Sequence, residues 1–379
     1  MKYLLLFLFS LSLNSTILAQ ISTAQKLDPN MALNKADADG IVWFDPKVEP
    51  FELVGFEWIK QDTVFRRLPL HPNRKIPEAV DRLANQTAGG QIRFQTNSNR
   101  ILLKVELSER SGMYHMPATG QSGFDLYIRE KNSQHYLKTT RFPHDTVQYQ
   151  TTFNVGKSNK MQSITINFPL YNGVESVLVG IEENSVLKSP KPFSEPGKIT
   201  IYGTSITQGG CVSRPGMAYS NILSRKLDIE FVNLGFSGNG KGEPELAYLI
   251  SEISGIRLII LDYEANASKT IQTSIGPFID ILRKRHPEIP ILIMSKIRYA
   301  NASNGSEAFK LLMNNRDFQK NLVANRKKEG DNHIYFMDGS VVLGEDYYEC
   351  TVDGVHPSDL GSYRIAQALL IEIEEILKF

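Results

Sequence analysis

Cysteine, excess charge and long apolar runs are all scarce in this sequence. The 379 residues include only 2 cysteines and carry a formal net charge of +1. A charge so close to zero gives no basic field for nucleic acid or for an anionic membrane surface. Outside the N-terminus, no stretch approaches the ~20 apolar residues that a membrane-spanning helix needs. We therefore expect a globular protein of about two domains, with no nucleic-acid partner and no membrane span.

The sequence also lacks the motifs of several enzyme classes. Neither H-E-x-x-H nor clustered cysteine and histidine pairs occur, so we expect no metal and no cofactor. A P-loop and a Rossmann glycine pattern after a strand are missing. The Gly-x-Ser-x-Gly turn of the standard α/β-hydrolases is missing as well.

The first twenty residues, MKYLLLFLFSLSLNSTILAQ, differ from the rest of the chain. Lys2 precedes an apolar stretch from Tyr3 to Leu13, and small residues follow near Ala19. This order is typical of a secretory signal peptide. We predict a signal peptide over residues 1–19 and a mature protein that is exported to the periplasm or the extracellular space.

Residues 20–190 form the predicted N-terminal domain, and from about residue 40 they have the alternating pattern of β-strands. The runs QIRFQT and RILLKVELSE flank an Asn-Ser-Asn turn, which predicts a hairpin. Further strands are predicted by the runs GFDLYIRE, TTFNVG, QSITINFPL and VESVLVGIEEN. Short strands at this spacing predict an all-β sandwich of jelly-roll-like form.

Residues 196–379 follow a stretch rich in Pro and Ser and have a different pattern. Five short apolar runs, KITIYG, IEFVNLG, IRLIILDY, PILIMSK and HIYFMDG, alternate with amphipathic helical segments. This alternation predicts a parallel sheet with helices on both faces, an α/β fold. In such sheets the ligand site lies at the carboxyl ends of the strands.

Polar residues and glycine occur at this predicted carboxyl edge. Ser205 follows the first strand, Gly238 and Asn266 come after the second and third, and Asp353 and His356 precede the last helix. Each alone is typical of a turn or a helix cap. Together they supply what acyl transfer needs: a nucleophile, a base, an orienting carboxylate and oxyanion donors. We predict these roles for Ser205, His356, Asp353, and for the N–H groups of Ser205 and Gly238 with the Asn266 amide.

These motifs resemble the SGNH hydrolases, the GDSL-type esterase superfamily. The Ser, Gly, Asn and Asp–His blocks correspond to IYGTSIT, GFSGNG, DYEAN and DGVHPSDLG. Thr204 stands where most members carry Asp, and the Asn block lacks the common Gly-x-Asn-Asp form. The resemblance implies a three-layer α/β/α sheet of flavodoxin-like type.

A narrower resemblance is carried by GTSITQGGCVSRPG together with GFDLY. It is to a two-domain subgroup in which a β-sandwich with a Gly-x-Asp-Leu-Tyr signature precedes the hydrolase. The resemblance implies a serine esterase that cleaves O-acyl esters, and with export it favours O-acetyl groups on small molecules or oligosaccharides. An acyltransferase using the same acyl-enzyme and a non-catalytic glycan-binding protein stay open as alternatives.

The role of the sandwich has two interpretations. Alternation places Phe124 and Leu126 on one face of their strand and Asp125 and Tyr127 on the other. The GFDLY residues could interact within the sandwich alone. Alternatively, the sandwich could cover one side of the site, with the Gly-rich loop at residues 109–123 reaching the cleft through Tyr114 and His115.

The two cysteines lie close to the predicted catalytic residues in the sequence. Cys211 follows Ser205 by six residues, and Cys350 precedes His356 by six. Since the two loops must meet if the triad forms, a disulfide is one possibility in an oxidising compartment. A pair of reduced, buried thiols is the other.

Overall fold

The structure is a computed structural model, and it describes residues 35–131, 133–156 and 160–378. The predicted signal peptide, residues 1–19, lies outside the described residues. Among the helices that are described, none has the length and apolar character required to cross a membrane.

The N-terminal half forms two antiparallel sheets. Its strands are β1 Ile41–Phe44, β2 Glu52–Val54, β3 Gln91–Thr96, β4 Arg100–Leu107, β5 Asp125–Glu130, β6 Ser133–Thr139, β7 Gln148–Asn154, β8 Gln162–Asn167, β9 Val174–Glu182 and β10 Leu187–Lys188. One sheet has the order β1-β9-β4-β7 and the other the order β10-β3-β8-β5-β6, with β2 beside β3. Short helices connect them: α1 Ile59–Asp62, α2 Glu78–Leu83 and α3 Ala118–Gln121.

The core between these sheets follows from the alternation of apolar residues. In β4, Ile101, Leu103 and Val105 are buried in the shared core, whereas Lys104 between them is exposed. Phe124 from the start of the GFDLY segment is fully buried in the same core. The predicted β-sandwich is therefore confirmed.

The predicted hairpin between β3 and β4 is wrong, because the two strands belong to different sheets. Phe94 of β3 lies opposite Ile164 of β8, whereas β4 pairs with β7 and β9. Glu182 of β9 holds the connection by accepting a hydrogen bond from the Asn99 N–H at 2.8 Å. The connection crosses between sheets because Phe94 and Ile101 enter the core from opposite sides.

The C-terminal half is a five-stranded parallel sheet between two helical layers. The strands are β11 Lys198–Gly203, β12 Glu230–Gly235, β13 Ile256–Asp262, β14 Ile291–Met294 and β15 Ile334–Met337. The helices are α4 Ser205–Gln208, α5 Tyr219–Leu227, α6 Pro244–Glu252, α7 Glu264–Ala267, α8 Ile271–Arg285, α9 Glu307–Lys328 and α10 Asp359–Leu377. The strand order β12-β11-β13-β14-β15 is that of flavodoxin-like sheets.

Both faces of this sheet are apolar, as a doubly covered sheet requires. In β13, Leu258 and Ile260 face the core shared with α5 and α10. Ile259 and Leu261 face the core shared with α6, α8 and α9. The predicted three-layer α/β/α fold is confirmed.

The strand order determines which loops meet at the carboxyl edge. β11 lies between β12 and β13, so Ser205 after β11 neighbours the loops that follow those two strands. The loop after β15 returns across the sheet edge and joins the loop after α4, where the Cys211 N–H donates to the Pro357 carbonyl at 3.1 Å.

Buried polar contacts join the two halves, whose predicted boundary at residues 190–196 lies between β10 and β11. The fully buried Arg67 donates to the carbonyls of Gly235 at 2.5 Å and Gln86 at 2.6 Å. Burial lowers the Arg67 pKa to about 9. The sandwich is therefore packed firmly against the edge of the sheet that carries Ser205.

Candidate active site

Ser205 begins the one-turn helix α4 directly after β11, and local capping explains this turn. The Thr204 hydroxyl accepts a hydrogen bond from the Ile206 N–H at 3.3 Å, and the Thr204 N–H donates to the Thr207 hydroxyl at 3.1 Å. These reciprocal bonds form a capping box. Thr204, which stands in the place of the Asp noted in the sequence analysis, thus stabilises the turn. Gly203 precedes it because any side chain there would collide with Thr207.

Side chains from both halves hold α4 in place. The Tyr171 hydroxyl, from the sandwich, donates to the Ser205 carbonyl at 3.0 Å. The Gln208 amide donates to the Leu170 carbonyl at 2.9 Å, and its oxygen accepts from the Ser237 N–H at 3.0 Å. Gln208 therefore connects the Ser turn to the Gly loop after β12 as well as to the sandwich.

Ser205, His356 and Asp353 are brought together in a line. Ser205 Oγ lies 2.9 Å from His356 Nε2, and His356 Nδ1 lies 2.7 Å from Asp353 Oδ2. Asp353 Oδ1 also accepts the His356 N–H at 2.8 Å and the Val355 N–H at 3.0 Å. Ser205 is buried, with 7% of its surface exposed.

Electrostatics determine the direction of these bonds. Burial opposes ionisation of Asp353, but hydrogen bonds from the His356 backbone and side chain outweigh it and lower the Asp353 pKa to about 2. An ionised Asp353 accepts the His356 Nδ1–H, which leaves a lone pair on Nε2 for the Ser205 hydroxyl proton. The arrangement can therefore remove a proton from Ser205.

The two backbone donors predicted for an oxyanion lie in adjacent loops. Gly238 adopts a φ of +66°, a conformation that glycine accommodates without strain. Among the described residues, the N–H groups of Ser205 and Gly238 have no hydrogen-bond acceptor. Both are therefore free to bind a ligand oxygen.

Asn266 lies in α7, beside the same loop. Its amide donates to the carbonyl of Asn239 and, at 3.4 Å, to that of Phe236. In this structure Asn266 therefore supports the loop that carries Gly238. A direct bond from its amide to an oxyanion stays a prediction.

The sandwich places His115 next to His356, in line with the interpretation in which its Gly-rich loop reaches the cleft. The His115 ring centroid lies 5.4 Å from that of His356, edge to face, and Tyr114 stacks on His115 at 4.4 Å. His115 Nδ1 is buried and has no hydrogen-bond partner among the described residues. Tyr114 is 91% exposed. The loop at residues 109–123 therefore forms one wall of the candidate site.

The GFDLY segment contacts both halves. Phe124 and Leu126 pack in the sandwich core, as predicted from alternation. Asp125 Oδ2 accepts from Arg214 Nη1 at 3.0 Å, and Arg214 also donates to the Tyr127 hydroxyl. Since Arg214 lies in the loop that follows α4, this segment binds the Ser205 loop rather than acting within the sandwich alone.

Of the two alternatives for Cys211 and Cys350, the structure has the pair of free, buried thiols and not the possible disulfide. The two loops do meet, but through the backbone at Pro357. Cys211 packs in a small apolar cluster with Leu170, whereas Cys350 belongs to the core beneath α10 and donates to the Leu343 carbonyl at 3.6 Å.

A buried carboxylate beneath α4 was missed by the sequence reasoning. Asp262 Oδ2 accepts the Tyr219 hydroxyl at 2.6 Å and the Thr207 hydroxyl at 2.9 Å. Burial raises the Asp262 pKa to about 7, against these hydrogen bonds, which lower it. An Asp at the end of the apolar run Leu258–Leu261 was the available signal.

Comparisons with known proteins agree with this architecture. Residues 197–374 match the GDSL-like lipase/acylhydrolase family, and residues 41–187 match GxDLY, the N-terminal domain of SGNH-hydrolase-type esterases. No curated protein matches the chain.

Solved structures extend the similarity over both halves. A structure described as a GDSL-like lipase from Bacteroides ovatus has 30% identity and a TM-score of 0.81, over 89% of this chain and 98% of that one. Salicylyl-acyltransferase SsfX3, from a tetracycline biosynthetic pathway, has 18% identity and a TM-score of 0.71, over 90% and 98%. A family two carbohydrate esterase from Clostridium thermocellum, in complex with cellohexaose, has 15% identity and a TM-score of 0.55, over 77% and 93%. The last two show the fold alone.

Proposed function

The chain belongs to the GDSL-like lipase/acylhydrolase family of SGNH hydrolases, in the subgroup with a GxDLY β-sandwich, and on this premise we propose that it is a serine esterase. The observation that carries the proposal is the line of hydrogen bonds from Ser205 through His356 to Asp353, 2.9 and 2.7 Å long. It supplies the nucleophile, the base and the orienting carboxylate of acyl transfer.

The reaction proceeds in two halves. Ser205 Oγ attacks the ester carbonyl as its proton passes to His356 Nε2, and Asp353 stabilises the resulting imidazolium. The N–H groups of Ser205 and Gly238, with the Asn266 amide, donate to the oxyanion. His356 then protonates the leaving alcohol, which leaves an acyl group on Ser205.

Water resolves the acyl-enzyme in the second half. His356 accepts a proton from the water as its oxygen attacks the acyl carbonyl, and returns that proton to Ser205 Oγ as the acid leaves. No cofactor enters either step. The proposed substrate is an O-acyl ester, and O-acetyl groups on carbohydrates are the preferred class.

Three observations favour a carbohydrate ester. Tyr114 presents an exposed aromatic ring beside the site, and such a ring can pack against the apolar face of a sugar. The N-terminal sequence predicts export, to the periplasm or beyond, where polysaccharides occur. A structural neighbour is a carbohydrate esterase in complex with cellohexaose.

Acyl transfer to an alcohol is the second candidate function. It is favoured by the similarity to salicylyl-acyltransferase SsfX3 over nine-tenths of the chain. The same acyl-enzyme serves both reactions, since water or a second alcohol can attack it. We favour hydrolysis because an exported enzyme works in bulk water.

The decisive experiment measures acetate release from a panel of acetylated oligosaccharides, beside p-nitrophenyl esters of short and long acyl chains. We expect hydrolysis by the wild type and loss by several orders of magnitude in Ser205→Ala, because a triad acts as a unit. Adding glycerol or a sugar at high concentration as acyl acceptor distinguishes the two candidate functions. A transferase forms a new ester with the acceptor, whereas a hydrolase releases mainly the free acid. Glycan binding with no turnover by either protein would favour a non-catalytic binding role.

A further inference from the structure

A nitrogen–sulfur–nitrogen cluster lies beside the candidate triad. One ring nitrogen of His115, one of His356 and Sγ of Cys211 all lie within 4.8 Å of one another. Each comes from a different segment: the sandwich loop, the loop after α4 and the loop before α10. The esterase mechanism uses only His356, so the other two groups have no role in it.

His356 already has the surroundings of a metal ligand. A histidine that binds a metal through one nitrogen usually donates the other N–H to a carboxylate, which fixes the ring and raises its basicity. Asp353 Oδ2, at 2.7 Å, accepts the Nδ1–H of His356 in this way. Nε2 therefore presents a lone pair on the side where Ser205 lies.

His115 supplies a second lone pair. Its Nδ1 is buried, and no described residue offers it a hydrogen bond. A buried polar atom without a partner costs free energy. A ligand that binds this nitrogen would remove that cost. A metal ion bound through this nitrogen would satisfy it.

Cys211 completes the set with sulfur. Its thiol is free and buried. A metal binds the thiolate, so the thiol proton passes to the solvent as the metal–sulfur bond forms.

The chemistry of the three ligands selects the ion. Two imidazoles and one thiolate with an open fourth position form a set that Zn²⁺ favours. Zinc bonds of ~2.0–2.3 Å place tetrahedral ligands roughly 3.5 Å apart, so atoms that lie within 4.8 Å of one another need to approach by at most about 1.3 Å. The side chains of His115 and His356 are only half-buried, so rotation of these two rings can supply the movement.

We propose that His115, Cys211 and His356 form an inhibitory binding site for Zn²⁺. On binding, the Nε2 lone pair of His356 turns from the Ser205 hydroxyl to the metal, and water fills the fourth position. Ser205 then has no base. The inhibition rests on the proposed esterase function, whereas the metal binding does not.

The first test titrates Zn²⁺ into the full-length protein during p-nitrophenyl acetate hydrolysis and then adds EDTA. We expect inhibition that EDTA reverses. Each variant is normalised to its own metal-free rate. Cys211→Ser and Cys211→Ala should raise the half-inhibiting concentration by at least about tenfold. His115→Gln should raise the half-inhibiting concentration in the same way. The matched controls, Cys350→Ser for the other buried thiol and His135→Gln for an exposed histidine of the sandwich, should leave it unchanged.

The second test needs no enzyme activity. Co²⁺ replaces Zn²⁺, and we expect a sulfur-to-cobalt charge-transfer band in the near ultraviolet for the wild type and for Cys350→Ser. The band should be lost in Cys211→Ser, with thermal unfolding confirming that the variant is folded. Equal inhibition of the wild type and Cys211→Ser, or a cobalt spectrum without the band, would overturn the proposal. An inert protein that still shows the band would instead count against the esterase function alone.

Discussion

Arg214 Nη1 lies 3.0 Å from Oδ2 of Asp125, and this ion pair joins the sandwich to the loop that follows Ser205. Asp125 is fully buried, and its Oδ2 also accepts the Gly216 N–H at 2.8 Å. Removing one member of such a buried pair leaves the other charge uncompensated, which is costly. The GFDLY segment therefore orders the nucleophile loop from the opposite half of the protein.

Asp125→Asn tests this coupling. Arg214 would remain partly buried without a counter-charge, so we expect the free energy of unfolding to fall by about 3 kcal/mol. We also expect kcat to fall, because the loop after Ser205 loses its anchor. Urea unfolding and ester hydrolysis measure the two effects. Glu307→Gln is the control, since the exposed Glu307–Lys310 pair should contribute less than about 1 kcal/mol. A variant as stable and active as the wild type would refute the coupling.

Asp353→Asn tests the carboxylate that orients the base. An amide in this position donates to Nδ1 and so leaves the proton on Nε2, where it blocks transfer from Ser205. We expect kcat to fall by about 10³–10⁴ with little change in KM, as when a triad carboxylate is lost. Steady-state kinetics on p-nitrophenyl acetate measure both constants. Glu345→Gln, an exposed residue near the same loop, serves as the control. An unchanged kcat would exclude Asp353 from the role.

The same carboxyl predicts how stability depends on pH. Its pKa is about 2 in the folded protein and near 3.8 in an ordinary carboxyl. The bonds to Asp353 therefore stabilise the fold fully above pH ~4, and this stabilisation is lost as the pH falls towards 2. Asp353→Asn should show a shallower loss of stability than the wild type between pH 4 and pH 2. Acid titration followed by circular dichroism measures that difference.

The candidate site could be predicted from sequence to the extent that its parts are local. Ser205 and Gly238 follow apolar strands, and the carboxyl ends of parallel strands always share an edge. Asp353 and His356 lie in one loop, three residues apart. Neither placement depends on contacts between segments that are distant in sequence.

What could not be predicted depends on packing between distant segments. His115 lies beside His356 only because the two halves pack against each other. The sequence of the loop that carries His115 gives no information about that packing. The pairing of β3 and β4 with different partners likewise reflects long-range contacts. The loops of Cys211 and Cys350 meet, but their side chains enter separate cores. Sequence spacing does not tell into which core a side chain points.

Tyr114→Ala tests the wall that the sandwich contributes. Tyr114 is 91% exposed, so its loss should leave stability unchanged. We expect kcat/KM for an acetylated oligosaccharide, relative to p-nitrophenyl acetate, to fall by about threefold to tenfold, as for a lost aromatic packing contact. The control is Tyr348→Ala, an exposed tyrosine outside the wall. A ratio that does not change would remove Tyr114 from substrate binding.

Asp262 provides a second prediction about pH, of opposite sign. Burial beneath α4 raises its pKa to about 7, and the charge of Glu264 adds to the effect. Between pH ~4 and pH ~7 the folded protein holds the proton while the unfolded chain has released it, so rising pH favours unfolding.

Asp262→Asn removes this titration and keeps an oxygen for the hydroxyl groups of Tyr219 and Thr207. We expect the stability of the wild type to fall relative to the variant by roughly 3 kcal/mol between pH 5 and pH 8. Urea unfolding of both proteins at each pH unit measures the difference, in which the titration of all other groups cancels. Parallel stability curves for the two proteins would mean that Asp262 is already ionised in the fold at pH 5, with its charge held by those two hydroxyls.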